Sequence, residues 1–162
     1  EGNLPTQPDY FWGRLTPEGM TMRFWIGTIH GTYVGHSETY MHPENIIWWG
    51  KGGVLYGGSP ARIAFLRQIV EKHVPGQKLE PVDGDVTAAH SGTKCYLYYY
   101  AVSTASSRDF SLPAGIRYRA YVVDTWNMTQ TDAGLFSGSF TLTMPDRMYM
   151  AVLFVQELSD AA

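Results

Sequence analysis

A chain of 162 residues that is 44% hydrophobic, 14% aromatic and only 17% charged has the apolar area for a substantial core, which excludes disorder over its whole length. The length fits one domain, or one domain plus a piece of another. The net charge of −3 comes without any local run of Lys and Arg, so a nucleic-acid partner is not expected. The longest apolar runs, Cys95–Val102 and Met148–Val155, span eight residues each; that is strand length, and a membrane span needs roughly 20.

Thr16-Pro17-Glu18 has the form of a helix start: a hydroxyl at the cap, Pro at the first helical position, and an acid at the positive end of the dipole. Met20, Phe24, Trp25 and Ile29 recur at helical spacing, and Gly31 suits the residue just past the C-terminus. Thr32-Tyr33-Val34 reads as a short buried strand. An irregular stretch from about Gly35 to Gly58 follows. Ser59-Pro60 repeats the cap-plus-Pro start, with Ile63, Leu66, Ile69 and Val70 along one face and Arg62, Arg67, Glu71 and Lys72 toward solvent. His73 and Pro75-Gly76 end this second helix. Helix, strand, loop and helix amount to about one and a half βα units, too little to close a sheet or barrel.

The rest reads as β. Strands are expected over Lys94–Val102, Ile116–Trp126 (continuing into Asn127–Thr131), Phe136–Met144 and Met148–Glu157, with turns at Asp132-Ala133-Gly134 and Pro145-Asp146. Short strands and Gly/Pro/Asp turns at such spacing argue for an antiparallel sandwich. Tyr98-Tyr99-Tyr100 would alternate between core and surface. The expected fold class is α+β, with residues 1–75 and 76–162 as its two parts. The entire net charge sits in the second part, which has six basic and nine acidic residues.

His36, Glu38 and Tyr40 fall on one side of an extended segment and could hydrogen-bond sugar hydroxyls; a loop held by its own polar groups is the structural alternative. His-x-Glu-x-x-x-His is not a common metal register and has no Cys to help, so neither metal nor cofactor is expected. In Trp48-Trp49-Gly50-Lys51-Gly52-Gly53, an exposed Trp face can stack on a sugar, Lys51 can donate to hydroxyls, and the glycines allow close approach. Consecutive Trp side chains point in different directions, so one of the two also fits a core position. The phosphate-loop pattern is incomplete, and there is no G-x-S-x-G elbow. Asn127-Met128-Thr129 matches a glycosylation sequon inside the β region, and Asp124 with Trp126 fits a structural strand better than a site. The lone Cys95 forms no internal disulfide and favours a reducing, cytoplasmic setting. The chain opens at Glu1 with neither Met nor a leader-like segment and reads as processed or excised.

The residues from Gly31 to Arg67 resemble a family of glycoside hydrolases. The resemblance is carried by Gly35-His36-Ser37-Glu38-Thr39-Tyr40, Trp48-Trp49-Gly50-Lys51-Gly52-Gly53, Ser59-Pro60-Ala61-Arg62-Ile63 and Phe65-Leu66-Arg67. That family has a TIM-type barrel of the DUF4038 kind and a C-terminal β-sandwich, DUF5605, which Val123–Thr129, Gly138 and Pro145–Ala151 also resemble. The resemblance implies that residues 1–75 are the C-terminal remnant of a (β/α)8 barrel, with strand eight near Thr32–Val34. Residues 76–162 would be the sandwich. His36, Glu38, Tyr40, Trp48, Trp49 and Lys51 would then contact substrate at the barrel mouth.

Retaining enzymes of this type use two carboxylates about 5–5.5 Å apart, from strands four and seven. Strand four is absent from this chain, and the strand-seven carboxylate falls upstream of it or, at the outside, is Glu1. The implied picture is a C-terminal portion of an enzyme, inactive alone, whose partners are a carbohydrate and the rest of the barrel. Two rival readings stand beside it: a carbohydrate-binding module using the Tyr-rich sandwich face, and a purely structural capping domain.

Overall fold

In a computed structural model of the chain, the described residues are 15–35 and 57–158. They form two helices, α1 (Pro17–Ile29) and α2 (Ser59–His73), a 3-10 turn at Pro75–Gln77, and eight strands. The strands are β1 (Glu80–Val82), β2 (Thr87–Ser91), β3 (Cys95–Tyr99), β4 (Ser107–Ser111), β5 (Tyr118–Asp124), β6 (Thr129–Phe136), β7 (Ser139–Thr143) and β8 (Met150–Gln156). Six strands make one antiparallel sheet in the order β1-β2-β3-β8-β5-β6, and β4 pairs with β7 in a separate two-stranded sheet. The fold is α+β with a sandwich-like arrangement of sheets, as the sequence implied. No helix among the described residues is long and apolar enough to cross a membrane.

The large sheet is covered on both faces. Cys95, Leu97, Tyr99, Val123, Ala151 and Leu153 face the helices and pack with Met20, Phe24, Trp25, Ile29, Leu66, Ile69 and Val70. Tyr118, Ala120, Met150, Val152 and Phe154 face the other way, against Phe110, Leu112 and Leu142 of the small-sheet side. Period-2 alternation therefore feeds two cores. Tyr99 and Tyr100 are 1% and 8% exposed, which corrects the expected division of the Tyr run between core and surface. A buried strand carries apolar groups on both sides.

Local chemistry explains α1. Thr16 Oγ1 accepts from Gly19 N at 3.1 Å at the N-terminus. At the other end the Gly31 and Thr32 amides return to Thr28 and Gly27 carbonyls at 3.1 and 2.9 Å, with Gly31 at φ 68°. This is a Schellman closure. It also accounts for a correction: Thr32–Val34 forms no strand. The Thr32 amide and hydroxyl are drawn back to Gly27 O, and Tyr33 is fully exposed. At α2, Gly58 is the cap residue and Ser59 already lies within the helix, fully buried.

The β region differs from expectation in detail. Asp132-Ala133-Gly134 is not a turn but lies within β6, where a bulge between Ala120 and Tyr121 sets Gly134 and Asp132 opposite consecutive residues of β5 and leaves Ala133 between them. Gly134 has φ 102°, and Asp132 Oδ1 accepts its amide at 2.8 Å. The true β5–β6 turn is at residues 125–128, and Ser137-Gly138 separates β6 from β7. Strands β1, β2 and β4 carry no alternating large apolar residues, and the sequence pattern does not single them out.

Candidate functional site

Glu1, His36, Glu38, Tyr40, Trp48, Trp49 and Lys51 all lie outside the described residues. The ends of the flanking segments are placed. Residues 57 and 58 lead directly into α2, and a Cβ built on Gly58 would stand 3.3 Å from Pro17 Cβ and 3.6 Å from Trp126 Cη2. The beginnings of both helices and the β5–β6 turn therefore meet at one point. Between the helices runs a cleft of about 270 Å³, lined in part by Phe24, Thr28, Val34, Ile63, Leu66 and Val70.

Arg62 ties the meeting point together. Its Nε donates to Trp126 O at 2.8 Å and its Nη1 to Gly58 O at 2.6 Å, while its guanidinium lies 3.5 Å from the centre of the Trp126 ring. Planar delocalised charge suits stacking and forked donation together. The expectation that Arg62 faces solvent is thus corrected: it is half-buried between α2 and the turn.

The turn is in turn held by Asp124, which is 2% exposed. Its Oδ1 accepts from the Trp126 and Asn127 amides at 3.0 and 2.8 Å, and its Oδ2 from Asn127 Nδ2 at 2.8 Å and Arg147 Nη2 at 2.6 Å. Thr125, also buried, donates its hydroxyl to Tyr149 O at 2.7 Å. Both Asp124 oxygens are engaged, so this carboxylate fastens the turn rather than serving as a free acid or base. Asn127 of the sequon uses its side-chain amide within the same turn.

Other polar clusters are likewise internally paired. Arg119 bridges Asp132 Oδ2 at 2.7 Å and Glu157 Oε1 at 3.3 Å, and Arg117 meets Glu157 Oε2 at 2.9 Å. The Gly134 amide, then Arg119, hold the Asp132 carboxyl below the usual carboxylate range. His73 lies 3.2 Å from Gln130 Nε2 and against the Tyr121 ring. Burial first, then Lys72, pushes its pKa down, against the Gln130 hydrogen bond. Burial pushes the Cys95 thiol up to about 12, which keeps it from acting as a nucleophile. Among the described residues there is no group of three or more His, Cys, Asp or Glu able to hold a metal ion.

The Arg62–Trp126 pairing escaped sequence reasoning because its partners are 64 residues apart. The one local signal was Asp124-Thr125-Trp126-Asn127, in which an Asp can hydrogen-bond amides two and three residues on.

A family model described as a domain of unknown function, DUF5605, matches residues 84–155, which is β2 through most of β8. A crystal structure from Bacteroides vulgatus ATCC 8482, described as a "putative glycoside hydrolase", is 30% identical, with a TM-score of 0.78 over 97% of this chain and 34% of that one. A glycoside hydrolase family 5 structure from the same organism covers 92% of this chain and 38% of that one, at 10% identity and a TM-score of 0.59. A further structure, described only as a glycoside hydrolase, covers 91% of this chain and 38% of that one at 10% identity and a TM-score of 0.61. The last two likenesses show the fold alone. The chain spans little more than a third of the length of these structures. No curated protein matches it.

Proposed function

We propose that this chain serves as the C-terminal portion of a glycoside hydrolase: residues 1–75 as a barrel remnant, residues 76–162 as a supporting β-sandwich, and the loop at 35–53 lining the sugar site. The observation that carries the reading is the likeness, at 30% identity over 97% of this chain and 34% of the other, to a structure described as a "putative glycoside hydrolase". The DUF5605 match over 84–155 supports the sandwich assignment. Under this reading His36, Glu38, Tyr40, Trp48, Trp49 and Lys51 contact the carbohydrate, and the two reacting carboxylates belong to other strands of a barrel of about 250 residues. The rest of that barrel would cover the cleft between α1 and α2 and the exposed Tyr33. The test is incubation with aryl glycosides and plant polysaccharides: the expected outcome is no turnover by the chain alone and turnover by the longer parent. Hydrolysis by the chain itself would overturn the proposal.

The rival binding-module reading places the ligand on the Tyr-rich sheet face. Burial of Tyr99 and Tyr100 and the edge contact of Tyr98 with Phe110 at 5.1 Å speak against an open platform there. Loss of glycan binding in Trp48→Ala, with binding intact in Tyr98→Ala, separates the two.

A further inference from the structure

We propose that the bulge in β6 guards the open edge of the six-stranded sheet, keeping a second copy of this chain from adding its own strand there. The guard is a property of the sheet and holds whatever the chain's enzymatic role. A sheet's terminal strands present unpaired amides and carbonyls, on which another extended chain can build. Here the terminal strands are β1 and β6. β1 is three residues long and has Pro81 at its centre, a residue with no amide to donate. β6 is a larger target. Its eight residues make it the longest strand among the described residues, and of these only β5 pairs with it, on one side. Thr129, Thr131 and Leu135 are exposed along it.

The bulge interrupts this target near its middle. Ala133 stands between Asp132 and Gly134, which face consecutive residues of β5, so the regular succession of edge groups is broken there. Gly134, at φ 102°, departs from the extended conformation that a further ladder needs. Its amide donates to Asp132 Oδ1 at 2.8 Å and is not free for an incoming carbonyl. Asp132 Oδ2 meets Arg119 Nη1 at 2.7 Å, with both side chains open to solvent. A strand laid on this edge must take water from that pair. Register with β5 does not itself require the extra residue. Without Ala133, Asp132 and Gly134 would still face Tyr121 and Ala120, and side chains would alternate without a break. Ala133 is only partly buried against the small-sheet core, so its loss costs that core one methyl group.

The test compares wild type, a variant lacking Ala133, and the same deletion combined with Thr131→Lys. Sedimentation velocity over about a hundredfold range of concentration gives the self-association constant of each, and near-ultraviolet dichroism of the tyrosines shows that each is folded. The deletion raises the association constant by about tenfold or more, and Thr131→Lys, a charge on the reopened edge, returns it to the wild-type value. A folded deletion variant that associates no more than wild type overturns the guard. So does association that Thr131→Lys leaves unchanged.

Asp132→Ala probes the edge without changing the length of the strand. It frees the Gly134 amide and removes the charge pair, and association rises above wild type. Asp85→Ala, an equal change of charge in the exposed β1–β2 turn, stays at the wild-type value. If deletion of Ala133 unfolds the chain, this pair decides: equal association in the two variants overturns the guard. Amide exchange in the wild type gives the converse. Rates at residues 129–136 are the same at both ends of the concentration range, with residues 95–99 as the internal reference. Slower exchange at 129–136 alone in the concentrated sample shows an edge already taking a partner, and overturns the guard as well.

Discussion

Replacing Trp25 with Ala is the most direct probe of whether the helices and the sheet form one cooperative unit. The side chain is fully buried, stacks on Tyr99 with ring centres 5.3 Å apart, and belongs to the core that spans α1, α2, β3, β5 and β8. Truncating a buried Trp in such a place costs about 3–5 kcal/mol. For a protein of this size that lowers the melting temperature by roughly 6–20 °C, since 1 kcal/mol corresponds to about 2–4 °C. Trp25→Phe should be much milder. Among the described residues the indole Nε1 has no hydrogen-bond partner despite its burial, so removing that donor recovers about 1–3 kcal/mol of what the smaller ring loses in packing. Urea unfolding monitored by Tyr near-ultraviolet dichroism, which reports on the sheet, and by far-ultraviolet helix signal measures both. In Trp25→Ala the two signals shift together to a lower midpoint. A sheet transition left at the wild-type midpoint while the helix signal alone is lost would refute the single shared core.

Three further outcomes follow from particular residues. Gly134→Ala forces a side chain into φ 102° at the β6 bulge and lowers stability by about 1–2 kcal/mol in urea titration, although open space surrounds the position. Because the folded-state pKa of His73 is depressed from its ordinary 6.5, the native state favours the neutral ring. That contribution is fully present above pH 6.5 and is lost as pH falls through the lower folded value; His73→Gln flattens this part of the stability–pH profile measured from pH 7.5 to 5. Cys95, fully buried with its thiol pushed up to about 12, resists iodoacetamide at pH 8 in the native protein and reacts readily in urea; fast native alkylation would contradict its placement.

Which features were legible in the sequence follows from the range of the interactions that form them. The start of α1 was readable from Thr16-Pro17-Glu18 and its end from Gly31, because each is made by groups within five residues. The apolar stripe of α2, and strands β3, β5, β7 and β8, were readable because their burial repeats with the period of the element. The candidate substrate contacts were named from side-chain chemistry alone.

Tertiary structure decided the rest. Asp132-Ala133-Gly134 has turn composition, yet pairing with β5 turns it into a bulge. Thr125–Met128 has only Asp124 and Asn127 as local signals and becomes the turn, because the buried Asp124 and the distant Arg62 and Arg147 hold it. The small and polar residues of β2 and β4 pair because neighbouring strands offer ladders, a reason no local pattern carries. Local capping and periodicity are set by residues near in the chain and so are written in their order. Which face of a Tyr run is covered, and which arginine reaches a turn 64 residues away, depends on what the folded chain brings against it.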